Sequence, residues 1–131
     1  MRTALLALTF LLLFPMTLLA QTTAALADIW DKQHVSHIMP SDVHHKDLQK
    51  YLEGLKKIGV KVEEVGRSYQ NREIYQAEFG NGPLKVFMWS QMHGDEPTAT
   101  SALIDMLTFL QNNRQLPWVK KIEGTMTLRV V

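Results

Sequence analysis

Leu84-Lys85-Val86-Phe87-Met88-Trp89-Ser90-Gln91-Met92-His93-Gly94-Asp95-Glu96-Pro97 is the stretch on which the reading of this chain turns. Val86 to Trp89 is a continuous apolar run, the pattern of a strand covered on both faces in a sheet with helices on either side, and it predicts a central strand. The polar, ionisable and glycine residues that follow form a tight turn. Pro97 then stands where a helix can begin, and Ala99, Ala102, Leu103, Met106, Leu107 and Leu110 mark an apolar stripe that fades at Asn112-Asn113. Strand, turn and helix in that order place His93 and Glu96 at the mouth of a crevice, because open α/β sheets bind ligands where strands end and helix amides are free. Gly94 permits the turn that brings an imidazole and a carboxylate together, and zinc accepts both at about 2.0 to 2.2 Å.

Working outward toward the N-terminus, Arg72 to Phe79 predicts a strand, with Ile74, Tyr75 and Phe79 among polar residues, before the turn Gly80-Asn81-Gly82-Pro83. Val60, Val62 and Val65 predict another strand, broken at Gly66-Arg67-Ser68, so the two read as a hairpin or edge pair. Leu48, Tyr51, Leu52 and Leu55 recur at helical spacing, with Ser41 or Asp42 as the cap and Gly59 as the stop. Residues 21–45 show no sustained period and read as an irregular N-terminal extension with at most one helical turn. Toward the C-terminus, a loop containing Pro117 and Trp118 leads to a β-rich run from Thr125 to Val131. The alternating order predicts an α/β fold, a mixed β-sheet flanked by helices. Thr127-Leu128-Arg129-Val130-Val131 carries no capping turn or polar tail, so the fold is expected to be incomplete in this chain and to continue past Val131.

Composition narrows the function. The chain has 131 residues and a formal net charge of +1. Removing a leader that carries Arg2 leaves thirteen basic side chains against thirteen acidic ones, which gives no electrostatic footprint for nucleic acid. There is no cysteine, which excludes disulfides, thiolate zinc sites and a cysteine nucleophile; a metal must use His and carboxylate. Arg2, the apolar residues Ala4 to Phe14 and a small residue at Ala20 read as a secretory signal peptide over residues 1–20, with Ala27 as the second cleavage position. The protein is thus expected to be exported, to the periplasm or the medium, with no stable membrane span once the leader is removed; an uncleaved anchor is the alternative.

His93 and Glu96 are two metal ligands where a catalytic zinc ordinarily takes three protein groups and leaves one position for water. His34, His37, His44 and His45 all lie in the early segment, and none has a comparable strand-to-helix setting; surface or loop roles are the plain reading for them. The plain reading for the His93 and Glu96 pair is a coincidence of spacing, with the glutamate favoured near a helix N-terminus by the dipole. Glu73 and Glu78, on a predicted edge strand, read as solvated charges.

From Val62 to Val131 the sequence resembles the N-terminal part of the zinc carboxypeptidase family, the carboxypeptidase A-like metallopeptidases. The resemblance is carried by Gly66-Arg67-Ser68, Arg72-Glu73-Ile74, Val86-Phe87-Met88-Trp89 and His93-Gly94-Asp95-Glu96, followed by a helix from Pro97. It implies that residues 46–131 are the N-terminal part of a catalytic domain, that His93 and Glu96 are the first two ligands of Zn2+, and that the substrate is a peptide. It also implies that the third ligand, the arginine clamp for the substrate carboxylate and the general-base glutamate lie beyond Val131. Digestive members carry a basic residue before the glutamate ligand, where this chain has Asp95; the His-Gly-Asp-Glu form is similar to bacterial branches acting on cell-wall peptides or γ-glutamyl linkages. Two other classes fit less of the sequence: a deacylase of the succinylglutamate or aspartoacyl type, which shares His-Gly-x-Glu but acts on cytoplasmic metabolites, and a non-catalytic binding or remnant module.

Overall fold

The computed structural model describes residues 23–131. The leader expected over residues 1–20 lies outside the described residues, and Ala27 falls within the first helix. Among the described residues no helix is long and apolar enough to cross a membrane.

The segment expected to be irregular begins with an eleven-residue helix, α1 (Thr23–Gln33). This corrects the sequence reading. Sequence periodicity missed α1 because none of its residues is buried; a distant carboxylate holds the chain that follows it. Asp105 Oδ1 accepts from the backbone N–H groups of Val35 at 2.7 Å and Ser36 at 2.9 Å, and Oδ2 accepts from the Ser36 hydroxyl. Asn113 also donates to Gln33 at 2.8 Å.

A single 3-10 turn (Pro40–Asp42) precedes α2 (His45–Lys57), so Ser41 and Asp42 are not its cap. The cap is one residue pair further on. Asp47 Oδ2 accepts from the His44 backbone N–H at 3.2 Å, closing the orphan donor at the helix start. That bond, helped by Lys50, holds the Asp47 carboxyl below its usual value. Gly59 ends the helix as expected: its φ of +91° suits glycine, and Val60 N–H reaches back to Leu55 O at 3.0 Å in a Schellman arrangement.

Strands β1 (Lys61–Arg67) and β2 (Glu73–Phe79) pair antiparallel, with a bulge between Glu64 and Gly66. β3 (Leu84–Met88), α3 (Thr98–Asn112), α4 (Pro117–Thr125) and β4 (Met126–Val130) complete the order. β4 inserts between β2, to which it is antiparallel, and β3, to which it is parallel, giving a mixed sheet of order β1-β2-β4-β3. The α/β expectation holds.

Ala77, Phe79, Leu128 and Val130 share one sheet face and pack against Leu52 and Leu55 of α2, Ile104, Leu107 and Leu110 of α3, and Val119 of α4. The register puts Glu78, Arg129 and Phe87 on the opposite face. Among the described residues β3 pairs with β4 and lies at one side of the sheet, with Phe87 57% and Trp89 50% exposed.

The loop expected around Pro117 and Trp118 is α4, with Pro117 in the first turn, where its missing N–H costs nothing, and Trp118 stacked on Phe109 at 5.5 Å between ring centroids. The buried face of α3 is Thr100, Ser101, Ile104, Asp105, Leu107, Thr108 and Leu110, while Ala99 and Ala102 are exposed. The rotation follows from polar anchors on that face, chiefly Asp105 and Thr100. Gly82 lets the β2–β3 connection approach the α4–β4 junction: a Cβ there would sit 2.0 Å from Thr125 C and 2.1 Å from Met126 N.

Candidate metal site

The loop of residues 89–97 leaves the end of β3 and enters α3. Its first part is tied to the sheet, with Ser90 N–H donating to Val131 O and Val131 N–H to Met88 O, both at 2.9 Å. The Thr100 hydroxyl, one turn into α3, donates to the Ser90 hydroxyl at 2.9 Å and spans the loop. Within it, Gly94 N–H donates to Gln91 O at 2.9 Å, and both residues are left-handed, with φ of +58° at Gln91 and +81° at Gly94. Nothing lies within 4 Å of a Cβ built on Gly94, so its requirement for glycine is conformational rather than steric.

This turn brings the two residues singled out by spacing into contact. His93 Nδ1 lies 3.0 Å from Glu96 Oε1, with side chains 68% and 59% exposed. Two ligands of a tetrahedral zinc at about 2.1 Å are about 3.4 Å apart, so these donors fit zinc after a shift of a few tenths of an ångström. Imidazole and carboxylate are also the donor types zinc accepts. They are two only: among the described residues no cluster of three or more His, Asp or Glu side chains could hold a metal.

The four early histidines are engaged elsewhere. His34 Nδ1 lies 2.6 Å from Trp30 O, and the His34 ring stacks on Trp30 and meets His37 edge-on. His44 is the α2 cap, and His45 Nε2 lies 3.3 Å from Glu73 O. Glu73 and Glu78, expected as solvated charges, are instead half-buried and paired: Glu73 with Arg67 at 3.3 Å, Glu78 with Arg129 at 3.0 Å. The Glu73 carboxyl is held below its usual value, first by its own backbone N–H and then by Arg67 and His45.

Sequence reasoning missed a cleft of about 980 Å³ beside this loop, lined by Gln91, Met92, Trp89, Arg72, Leu48 and Leu103 among others. It runs from the β1–β2 turn to the residues just before His93. Its walls come from α2, α3, the β1–β2 turn and strands of the sheet, so no local motif announces it. The Ser90 and Thr100 clamp had a faint signal, two hydroxyls straddling the glycine turn.

An α/β sheet with an imidazole and a carboxylate meeting at the carboxyl end of a parallel strand belongs to the class of proteins whose sites are built in the strand-to-helix crevice. Within that class the chain belongs to the zinc carboxypeptidase family, whose sequence model matches residues 46–131. Two solved structures share the fold: a metallo-carboxypeptidase from Burkholderia cenocepacia, 17% identical with a TM-score of 0.60, and a Burkholderia mallei ATCC 23344 protein assigned as a carboxypeptidase, 18% identical with a TM-score of 0.55. Each alignment covers 68% of this chain but only 26% and 24% of the respective structures, so the chain spans about a quarter of their length. No curated protein matches the chain.

Proposed function

We propose that His93 and Glu96 are two protein ligands of a zinc ion, and that the chain is the N-terminal portion of an exported, zinc-dependent peptidase of the carboxypeptidase type. The observation that carries this reading is the 3.0 Å contact between His93 Nδ1 and Glu96 Oε1 in an exposed strand-to-helix turn. Family membership over residues 46–131 supports it.

When bound, zinc supplies a Lewis acid that polarises an amide carbonyl and acidifies water. The chain's own residues do the positioning. Gly94 sets the turn, the Thr100 to Ser90 hydrogen bond fixes the strand exit against α3, and His93 with Glu96 presents one neutral and one anionic donor, which leaves net positive charge for a substrate oxygen. The cleft edged by Gln91 and Met92 offers apolar walls to a peptide beside that point. The third ligand, the arginine clamp and the general base implied by the family pattern are not among these residues, and the 131-residue chain by itself is expected to be inactive. The acidic Asp95 before the glutamate ligand favours substrates from cell-wall or γ-glutamyl peptides over a digestive specificity.

The test is zinc content and peptidase activity of the longest product of the locus, with His93→Ala and Glu96→Ala beside the wild type. Loss of stoichiometric zinc and of activity in both variants is expected. A folded wild-type protein that never retains zinc would overturn the reading and leave the binding module. Hydrolysis of acyl-amino acids but not peptides would favour the deacylase. N-terminal sequencing of the exported product tests the leader.

A further inference from the structure

Residues 23–45 lie upstream of the family match, yet contacts tie them to the domain. The chain leaving α1 runs along α3 from its end toward its start: Gln33 meets Asn113, Val35 and Ser36 meet Asp105, and the Pro40–Asp42 turn packs against α3 before α2 begins. Val43 is buried on the way. Among the described residues, few hydrogen bonds link α3 side chains to other elements. They are the bond from Thr100 to Ser90 at its start, the three accepted by Asp105, and one from Gln111 to Ile58 O near its end at 2.8 Å. Ile104, Leu107 and Leu110 hold the helix to the sheet by apolar contact, which is non-directional and resists a small axial slide weakly.

We propose that residues 34–44 form a positioning strap for the metal loop: docked on Asp105, the strap locks α3 along its axis, and α3 in turn sets Glu96 against His93. Two backbone N–H groups and a hydroxyl converge on one carboxylate, so the helix cannot slide past the strap without breaking charge-assisted bonds. Asp105 stands about 12 Å along the helix from Pro97, and a hydrogen-bonded helix carries an axial setting over that distance with little loss. The tolerance at the far end is small. A zinc site accepts ligand distances within about 0.2 Å. The Thr100 to Ser90 bond, 2.9 Å long, is lost near about 3.5 Å, so a slide of α3 by about 0.6 Å opens the clamp on the loop. Ser36 and Asp105 are thus positioning residues, acting through α3 and touching neither His93 nor Glu96. The consequence for zinc rests on the reading of that pair as ligands, whereas the order of the loop is a property of the fold. Coupling between sites is reciprocal, so zinc should favour docking of the strap by the factor by which the docked strap favours zinc.

The experiment measures zinc affinity, by competition with a chromophoric chelator, and amide hydrogen exchange on the longest product of the locus. It compares the wild type with Asp105→Ala, Asp105→Asn and Ser36→Ala, and with Val119→Ala, which loses core packing on α4 away from the strap. Zinc affinity is expected to fall about tenfold in Asp105→Ala, within the roughly 5- to 150-fold range of coupled sites, to fall less in Ser36→Ala, and to be largely kept in Asp105→Asn, which retains an oxygen for the amides. Val119→Ala should bind zinc as the wild type does. In the wild type, zinc is expected to slow exchange at the Val35 and Ser36 amides by the same factor of about ten. Without zinc, the Gly94 amide, which donates to Gln91 O, should exchange faster in Asp105→Ala than in the wild type. Unchanged zinc affinity in Asp105→Ala would overturn the strap, as would an equal fall in Val119→Ala, which would trace the loss to stability alone. A wild type that retains no zinc would overturn the metal reading instead, and the Gly94 amide then decides the strap: equal exchange in the wild type and Asp105→Ala refutes it. Should Asp105→Ala fail to fold, Ser36→Ala and the response of the wild-type strap to zinc decide.

Discussion

Replacing Asp105 with alanine tests whether the N-terminal helix is part of the domain. The carboxylate accepts three hydrogen bonds from Val35 and Ser36, residues that follow α1, and it does so from a buried position on α3. A hydrogen bond to a charged group is worth about 1.5–3 kcal/mol when buried, but Val35 and Ser36 are half-buried and water reaches their amides once the carboxylate is gone. Counting about 1 kcal/mol for each lost partner gives a cost of about 3 kcal/mol for Asp105→Ala. Asp105→Asn keeps an oxygen for the amides and is expected to cost about 1 kcal/mol. With a urea slope of about 2 kcal/mol/M for a domain of this size, the alanine variant's midpoint falls by about 1.5 M. Hydrogen exchange supplies the local readout, because 3 kcal/mol corresponds to roughly a hundredfold more frequent opening of residues 23–44. An unchanged midpoint together with unchanged protection of α1 would refute the tether.

Gly82→Ala is expected to destabilise by about 3 kcal/mol or more, since its Cβ would meet Thr125 and Met126 backbone atoms at 2.0 to 2.4 Å and the β2–β3 connection must move; a thermal midpoint near wild type would contradict that packing. Gly94→Ala meets no atom and pays only for its left-handed φ, about 1 kcal/mol, yet it should weaken zinc binding about tenfold by loosening the turn, as titration calorimetry can measure. Asp47 has a folded pKa below its ordinary 3.8, so its stabilisation is complete above that value and is lost as pH falls through it toward the lower folded value. Urea midpoints compared at neutral pH and near pH 3 should therefore drop less in Asp47→Asn than in wild type.

The elements legible in the sequence were those whose own residues bury a face or force a turn. Leu48, Leu52 and Leu55 announce α2, Gly59 its end, Phe79 the buried side of β2, and the apolar run with its glycine turn announces β3, the loop and α3. What escaped depends on distant partners. α1 buries nothing and is anchored through Asp105, some seventy positions away. Asp105 itself sits on a face of α3 that a hydropathy reading assigns to solvent. α4 hides behind Pro117, which reads as a breaker within a loop and as a starter at a helix's first turn. That β3 pairs with β4 rather than with β2 follows from β4 inserting between them, and a local apolar run carries no information about strand order. The same limit applies to the site: spacing gave the pair, while the cleft beside it, assembled from α2, α3 and the ends of the strands, required the fold.

The direction of cause at the metal loop can be argued from magnitudes. An exposed pair such as His93 and Glu96 contributes about 0–1 kcal/mol, and a left-handed Gln91 costs about 1 kcal/mol or more, so the pair cannot be what holds the loop in shape. The holding is done by the backbone bonds of Ser90 and Val131, the Thr100 to Ser90 clamp and the start of α3, all of which persist without either ligand side chain. The fold places His93 and Glu96, and the pair does not fold the loop. For that reason His93→Ala and Glu96→Ala should remain as stable as the wild type, and zinc lost in them reports the loss of a ligand rather than the collapse of its setting.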